Sequence, residues 1–312
     1  MRRADAGASL AEVLVATAVL SLVMAALLQF ALLTSRVVQA QGDLADTSQR
    51  GRVALALLHR DLLTAGAGPW HGAQQGSVAA RLPAVLPGRR GARNADPELT
   101  AASDRLSVLF VPDARVQTRL TADMAGAGAP LVIDAAAPGC PTGGACGFRA
   151  GDRALIVGPA AGAYDLFTVS ASGAGMVTAA VPLSAIYPAG SAVATVVERV
   201  YYLDRATRRL MLYDGAQSDA VLLDNVRDLR FTYFGTRPEN PSAWSLLTAA
   251  ELSDGPVLGA APFRFDADLL RIRRIRIQLT LDPPGGFVAV GGWRGGRTLT
   301  LDVTPRNLGG AE

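Results

Sequence analysis

Lysine is absent from this 312-residue chain, and histidine and cysteine occur only twice each. Without lysine there is no phosphate-binding P-loop and no amine for Schiff-base catalysis. The 30 basic residues are all arginines, and the 27 acids scattered among them leave a net charge of +3. Such a balance does not predict a nucleic-acid interface. The length allows one large domain or two smaller ones.

The two cysteines, Cys140 and Cys146, lie six positions apart in a segment that contains Gly and Pro. A structural zinc ion needs four ligands and neither histidine is near, so we predict no metal site here. The spacing also differs from that of a C-x-x-C redox pair. A short loop closed by a disulfide is preferred over two free thiols, provided that this domain lies outside the cytoplasm.

The N-terminus combines a short basic segment with a long apolar one. Arg2 and Arg3 precede an uncharged run of 23 residues, 13–35, which as a helix is long enough to cross a bilayer. Basic residues before the span predict a cytoplasmic N-terminus, with the rest of the chain across the membrane. Glu12 begins the apolar run, and a carboxylate in hydrocarbon costs about 2.5–3.5 kcal/mol. We therefore expect Glu12 to be functional or paired.

Residues 7–16, GASLAEVLVA, resemble the class III signal of type IV prepilins. In that family a short basic leader ends in Gly, a membrane peptidase cleaves after it, and the new N-terminal residue is methylated. A Glu follows at the fifth mature position. The resemblance implies cleavage between Gly7 and Ala8, methylation of Ala8, and a filament-assembly role for Glu12. The family's usual first mature residue is Phe, whereas this chain has Ala8.

The resemblance also implies partners and a location. The free amine at Ala8 would pair with Glu12 of a neighbouring subunit. The expected partners are a prepilin peptidase/methyltransferase, other major and minor pilins or pseudopilins, and an inner-membrane assembly platform. The chain is then a single-pass protein of the bacterial inner membrane with a periplasmic C-terminal domain, which later enters a pilus or pseudopilus. No cofactor is implied.

The helix is predicted to continue past the membrane, from Ala8 to about Thr64, a length of about 85 Å. Gly66, Gly68 and Pro69 end it. The sequence RVALALLHRDLLTAGAG (52–68) resembles the end of the stem helix in PilW-type minor pilins. Arg50, Arg52, Arg60 and Asp61 are predicted to lie away from the apolar stripe. That stripe recurs at steps of three and four residues: Val37, Ala40, Leu44, Gly51, Leu55, Leu58 and Leu62.

Beyond Trp70 the pattern predicts strands. Residues 88–103 and 235–268 are predicted as loops because they are rich in Gly, Pro and polar residues. The three last strands alternate most regularly, and we expect them to form the antiparallel sheet that the helix covers. Their sequences also resemble the C-terminal half of PilW-type and J-type subunits. The predicted strands are 106–111, 154–157, 166–169, 193–203, 210–213, 228–233, 274–281 and 298–303.

The fold prediction is therefore α+β, with a long pilin-type stem helix packed on an antiparallel sheet. We predict a leader at 1–7, a membrane helix at 8–35, an amphipathic helix at 36–66 and a β-rich domain at 70–312. A subdivision of that domain near residue 200 is left open.

No catalytic group is predicted. His59 lies on the stem helix and His71 follows Trp70, and no Ser lies in a G-x-S-x-G elbow. The sequence Gly66-Ala67-Gly68 follows a helix, so a helix cap is preferred over a phosphate loop. Asp224 and Asp228 lack the pattern of a calcium loop. A row of four arginines is interpreted as a solvated strand face with acidic partners across the sheet: Arg271, Arg273, Arg274 and Arg276.

The sequence favours a non-enzymatic minor type IV pilin of the PilW type. The alternatives are a J-type pseudopilin of a type II secretion system and a membrane-anchored periplasmic enzyme or binding protein. A DNA-binding competence pilin is a further alternative.

Overall fold

The computed structural model describes residues 10–69, 76–91, 93–112, 116–138, 140–141, 144–282 and 296–308. It contains one long α-helix followed by a β-rich region in which all sheet pairings are antiparallel, so the predicted α+β class is confirmed. The described residues divide into two compact units. One consists of the helix up to Arg50, and the other runs from Gly51 to Asp282 and includes residues 296–308.

The elements follow in chain order. They are α1 (Leu10–Thr64), β1 (Val85–Leu86), β2 (Arg105–Phe110), β3 (Gln117–Arg119), β4 (Leu131–Val132), β5 (Arg153–Val157), β6 (Tyr164–Gly173), β7 (Met176–Ala179), β8 (Ala192–Thr195), β9 (Val197–Asp204), β10 (Arg209–Tyr213), β11 (Asp219–Leu223), β12 (Val226–Arg237), β13 (Asn240–Leu247), β14 (Val257–Leu258), β15 (Phe265–Asp266), a 3₁₀ helix (Ala267–Arg271), β16 (Ile272–Leu281) and β17 (Arg297–Val303).

Two sheets form the walls of the main core. The first has the order β1-β2-β9-β10-β11, and the second has the order β13-β12-β16-β17. The three strands with the most regular alternation, β12, β16 and β17, are neighbours in the second sheet, as the sequence predicts. Their inward residues pack with those of α1 in one apolar cluster, which confirms that the helix covers this sheet. From α1 this cluster contains Ala54, Leu55, Leu58 and Leu62.

The remaining long sheet closes into a small barrel, which is inserted between β2 and β9. Its strand order is β3-β8-β5-β6-β7-β4. A bridge between Leu120 and Ile133 joins the ends of β3 and β4. Two backbone hydrogen bonds support this closure, from Thr121 N to Val132 O (2.9 Å) and from Asp134 N to Arg119 O (3.0 Å). Closure leaves no free edge on this sheet.

The strands of the barrel contribute side chains to two apolar cores. In β5, Ala154 and Ile156 belong to the barrel interior, whereas Leu155 and Val157 belong to the main core. Alternate side chains of a strand point to opposite faces, so a strand covered on both faces is apolar throughout. This explains the continuous apolar run in β5. The same explanation holds for β2, whose four central residues are all buried.

Two strand predictions are wrong in detail. The predicted strand 193–203 is interrupted at Val196, where the chain leaves the barrel as β8 and enters the first sheet as β9. Burial on both sides of this point keeps the sequence apolar, so periodicity does not reveal the change of sheet. The predicted loop 235–268 contains β13, which pairs with β12. It is an edge strand, where a proline such as Pro241 is tolerated.

Candidate functional site

The N-terminal part of α1 is the most unusual surface of the described chain. Leu10–Ser35 has a mean hydropathy of 2.4 over its most apolar stretch, and every residue in it is exposed. At 1.5 Å per residue its 26 residues extend about 39 Å, more than the roughly 30 Å of a bilayer's hydrocarbon core. The helix is thus long and apolar enough for a single membrane span, which supports single-pass anchoring.

Three hydroxyl groups within this span donate hydrogen bonds to the backbone of the helix itself. Thr17 Oγ1 donates to Leu14 O (3.0 Å), Ser21 Oγ donates to Thr17 O (2.7 Å), and Thr34 Oγ1 donates to Phe30 O (2.8 Å). A hydroxyl bound to a carbonyl of the preceding turn needs no water. These residues therefore do not oppose placement of the span in a lipid environment.

Glu12 lies in the first turn of α1 as the structure describes it, and its side chain is exposed. It is the only charged residue between Leu10 and Ser35. The N-terminus of a helix carries a partial positive charge that favours an acid at this position. The predicted cleavage and methylation residues, Gly7 and Ala8, lie outside the described residues.

The last turns of α1 bury the C-terminal part of the predicted apolar stripe, and the side chains of Val37, Ala40 and Leu44 lie outside what the structure describes. Gly51, Leu55, Leu58 and Leu62 are all buried, in agreement with the sequence. A Cβ atom at Gly51 would lie 2.9 Å from methyl carbons of Leu281 and Leu299, so glycine allows close packing of the helix on the second sheet. The helix ends at Thr64, and Gly66 follows with φ of 78°, the left-handed conformation typical of a helix cap.

The prediction that Asp61 lies away from the apolar stripe is wrong, because Asp61 is buried and only 3% exposed. Tyr201 Oη on β9 donates to Asp61 Oδ2 at 2.7 Å. Arg60 donates to Oδ1 at 3.2 Å, and Arg199 Nε lies 3.8 Å from Oδ2. Burial, and secondarily the Asp61 carboxylate, raise the pKa of the Tyr201 hydroxyl. This charge-assisted contact joins α1 to the first sheet.

A signal for the burial of Asp61 exists in the sequence. Asp61 follows Ala54 by seven positions and Leu58 by three, which places it on the same helix face as these buried residues. Its charge alone suggested the opposite face. The buried position of Asp61 is stabilised by Tyr201 of β9, which lies 140 positions away in sequence.

Cys140 and Cys146 form a disulfide with their Cα atoms 4.4 Å apart, which agrees with the sequence prediction. Cys146 is buried in the barrel core, and its Sγ lies 3.3 Å from the carbonyl oxygen of Gln117 in β3. The disulfide thus holds the loop after β4 against the first strand of the barrel.

The four arginines predicted as a solvated row are all engaged. Arg276 makes a bidentate pair with Asp302 across the sheet (2.8 and 2.9 Å), as predicted. Arg271 pairs with Asp268 at 2.8 Å. Arg274 lies 4.3 Å over the Phe234 ring, and Arg273 donates to two backbone carbonyls. Of these four arginines, only Arg276 has the predicted acidic partner across the sheet, because Arg271 lies in the 3₁₀ helix, Arg273 contacts backbone carbonyls and Arg274 contacts an aromatic ring.

The remaining candidate residues from the sequence are Asp224, Asp228, His59 and His71. Asp224 pairs with Arg209 at 2.8 Å. Within the described ranges, no group of three or more His, Cys, Asp or Glu side chains is arranged to hold a metal ion. His59 is half-buried on α1, and His71 lies outside the described residues.

No protein-family model, curated protein or solved structure matches this chain significantly.

Proposed function

We propose that this chain is a pilin-like filament subunit that is anchored, and later assembled, through α1. The supporting observation is the division of one continuous helix. Residues 10–35 form an exposed apolar span, whereas residues 51–64 bury one face against antiparallel sheet. An anchor needs only the first part. A pilin-like stem needs both parts, an apolar span for the filament core and a face that packs on the folded domain.

The prepilin-like leader and Glu12 supply the assembly chemistry in this proposal. Cleavage after Gly7 creates an amine at Ala8 inside the apolar layer. The same step leaves Glu12 four residues further along the helix. A carboxylate in hydrocarbon is stabilised by a cationic partner, so the amine of one subunit and Glu12 of its neighbour favour lateral association in a fixed register.

Within this class we propose a minor pilin of the PilW type that acts in pilus assembly or initiation. A type II secretion pseudopilin shares the same processing and remains the alternative. Deletion of the gene separates the two, because loss of surface pili supports the first and loss of secretion with intact pili supports the second.

Mass spectrometry of the mature N-terminus tests the processing step. We expect a polypeptide that begins at N-methylated Ala8 in cells with the peptidase, and an intact leader in cells without it. An intact Met1 in both strains, or cleavage near residue 40, would overturn the pilin proposal.

Substitution of Glu12 tests the assembly step. We expect Glu12→Ala to insert into the membrane normally but to be lost from sheared filaments, because it removes the partner of the neighbouring amine. Gln29→Ala is the matched control, since it removes another polar side chain of the same span and should leave incorporation unchanged. Normal incorporation of Glu12→Ala would contradict the assigned role.

A further inference from the structure

A cavity of about 270 Å³ lies where the loop 86–100 meets β5, β6 and the segment 262–264. Its position is distant in sequence from α1, and its chemistry has no part in the proposed assembly step. Apolar side chains and four arginines contribute to its lining, together with two acids. The arginines are Arg89, Arg90, Arg153 and Arg264.

The two acids in the lining are already occupied. Glu98 pairs with Arg264 at 2.7 Å. Asp96 accepts hydrogen bonds from Arg105 Nη1 (2.8 Å) and from the backbone N of Arg89 (2.6 Å). These contacts neutralise both carboxylates. The charge balance of the cavity therefore depends on the other two arginines, Arg90 and Arg153.

Arg90 is held in place by neutral groups. Its Nη2 donates to Tyr164 Oη at 3.2 Å, and its guanidinium lies 5.9 Å from the centre of the Tyr164 ring. Its backbone N donates to Ser107 Oγ at 2.9 Å. Among the described residues, no carboxylate lies within 4 Å of the Arg90 guanidinium. Arg90 is thus positioned at the cavity without a carboxylate in ion-pair contact, and the buried Glu198 acts on it from a greater distance.

Arg153 faces a single acid, Glu198. Its Nη2 lies 3.8 Å from Glu198 Oε2, too far for a hydrogen bond. Arg153 Nε is buried and has no acceptor among the described residues. The Glu198 side chain is 1% exposed, and neither of its oxygens receives a hydrogen bond within the same set. A buried polar group without a partner is costly, so both groups need a further partner or a neutral form.

Glu198 balances the two arginines only weakly. Burial raises the pKa of the Glu198 carboxyl, and nearby Asp214 adds to this, whereas Arg90 and Arg153 oppose it. When Glu198 is neutral, two guanidinium groups share a site of low polarity without an anion. Guanidinium groups bind carboxylates in a planar, bidentate manner. Besides Thr100, apolar side chains contribute much of the remaining lining: Leu86, Leu99, Leu166, Pro262 and Phe263.

We propose that this cavity binds a small carboxylate ligand with an apolar body, with Arg90 and Arg153 as the anion-binding residues. The carboxylate supplies the acceptors that Arg153 lacks, and the apolar part of the ligand contacts Phe263 and Leu166. Convergent charged groups in a pocket that also has apolar walls are typical of small-molecule sites. The proposal goes beyond filament assembly and does not depend on it.

Isothermal titration of the full chain in non-ionic micelles tests this proposal, with benzoate as the probe. We expect saturable benzoate binding below about 10 mM. Benzamide, which has the same shape without the charge, should bind about tenfold more weakly or not at all. Acetate should be weaker because it lacks the apolar body. Inorganic phosphate should not compete with benzoate.

Three variants assign the site. Arg153→Gln should weaken benzoate binding about tenfold, and Arg153→Lys should bind with intermediate strength because it keeps the charge but loses the planar fork. Glu198→Gln should bind benzoate more tightly, since it removes the competing carboxylate. Arg209→Gln is the control, because Arg209 lies outside the cavity and pairs with Asp224.

The outcomes separate the proposal from non-specific binding. Equal affinity for benzamide and benzoate, equal effects of Arg153→Gln and Arg209→Gln, or an absence of saturable benzoate binding would each overturn it. Competition by phosphate at equal concentration would replace the carboxylate site with a general anion site. If Arg153→Gln does not fold, as judged by circular dichroism, the Arg153→Lys and Glu198→Gln arms decide the question.

Discussion

The second structural unit encloses two apolar cores, and each contains an aspartate that accepts a hydrogen bond from a buried tyrosine. In the main core Tyr201 donates to Asp61 at 2.7 Å, whereas in the barrel Tyr187 donates to Asp165 at 2.9 Å. The first pair joins α1 to β9 and has Arg60 and Arg199 beside it. The second pair is local, and its other donor is the backbone N of Ser184. One pair thus connects distant elements through charge, and the other rigidifies a loop.

The two cores also differ in which elements contribute their side chains. Among the described residues, the barrel interior uses side chains from the segment 116–193. The main core includes outward-facing residues of the barrel, among them Leu155, Tyr164 and Leu166. The barrel is therefore a wall of the main core, whereas α1 and the second sheet contribute nothing to the barrel interior. We expect that a destabilised barrel interior also destabilises the main core, whereas a destabilised main core leaves the barrel interior folded.

The largest effect should come from Phe167→Ala, which removes a buried aromatic ring from the barrel interior. We expect a loss of about 3–5 kcal/mol in the free energy of unfolding. Hydrogen exchange measured by mass spectrometry should show reduced protection in the barrel strands and also in α1 after Gly51, because the main core loses a wall.

The matched change in the other core is Leu58→Ala, since Leu58 is fully buried on α1. It should cost about 2–5 kcal/mol and reduce protection in α1 and both sheets, while the barrel amides stay protected. Equal loss of protection in the barrel after Leu58→Ala would show that the two cores unfold as one unit.

A smaller loss should follow from Asp61→Ala. The substitution leaves Tyr201 Oη buried without its acceptor, so we expect about 3 kcal/mol of destabilisation in urea unfolding of the full chain in micelles. Asp46→Ala is the control on the same helix. Its side chain is 58% exposed and pairs only with Arg50, so its removal should cost about 0.5 kcal/mol or less. Similar costs for the two variants would contradict a special role of the charged contact.

The sequence predicts best the segments in which buried apolar residues recur at one regular spacing. Residues 51–64 of α1 and the strands β12, β16 and β17 each bury one regular stripe, so their periodicity is readable. The barrel is less predictable. In β5 and β6, alternate residues face two different cores, so both faces are apolar and the pattern loses its period. Closure of the barrel through Leu120 and Ile133 depends on contacts that no local pattern records.

The candidate sites also differ in how far the local sequence predicts them. Glu12 and its leader lie within a few residues of one another, so sequence spacing alone suggests a role for them. The anion cavity combines Arg90, Arg153, Glu198 and Phe263, which come from four separate segments. Each of these residues is unremarkable in its own stretch of sequence. Only the fold brings the two guanidinium groups to one cavity with a buried acid behind them.

The smallest effect is expected from Asp165, the aspartate of the barrel pair. Burial raises the pKa of Asp165 above its ordinary value of 3.8, although hydrogen bonds from Ser184 and Tyr187 oppose the rise. The folded barrel therefore retains a proton at pH values where the unfolded chain has released it. The resulting stability is fully present below about pH 4 and is lost as the pH rises through the raised pKa. Asparagine does not titrate, so Asp165→Asn removes this pH dependence.

We therefore expect wild type to lose its advantage over Asp165→Asn as the pH rises above about 4 and through the raised pKa of Asp165, with a difference of about 1 kcal/mol or less once the carboxyl is ionised, because asparagine still offers an acceptor. Urea unfolding across this range measures the difference. Tyr187→Phe keeps the carboxyl but removes a donor that favours its ionised form, so it should extend the pH dependence to higher pH. A difference between wild type and Asp165→Asn that stays constant with pH would mean that Asp165 is as ionised in the folded barrel as in the unfolded chain.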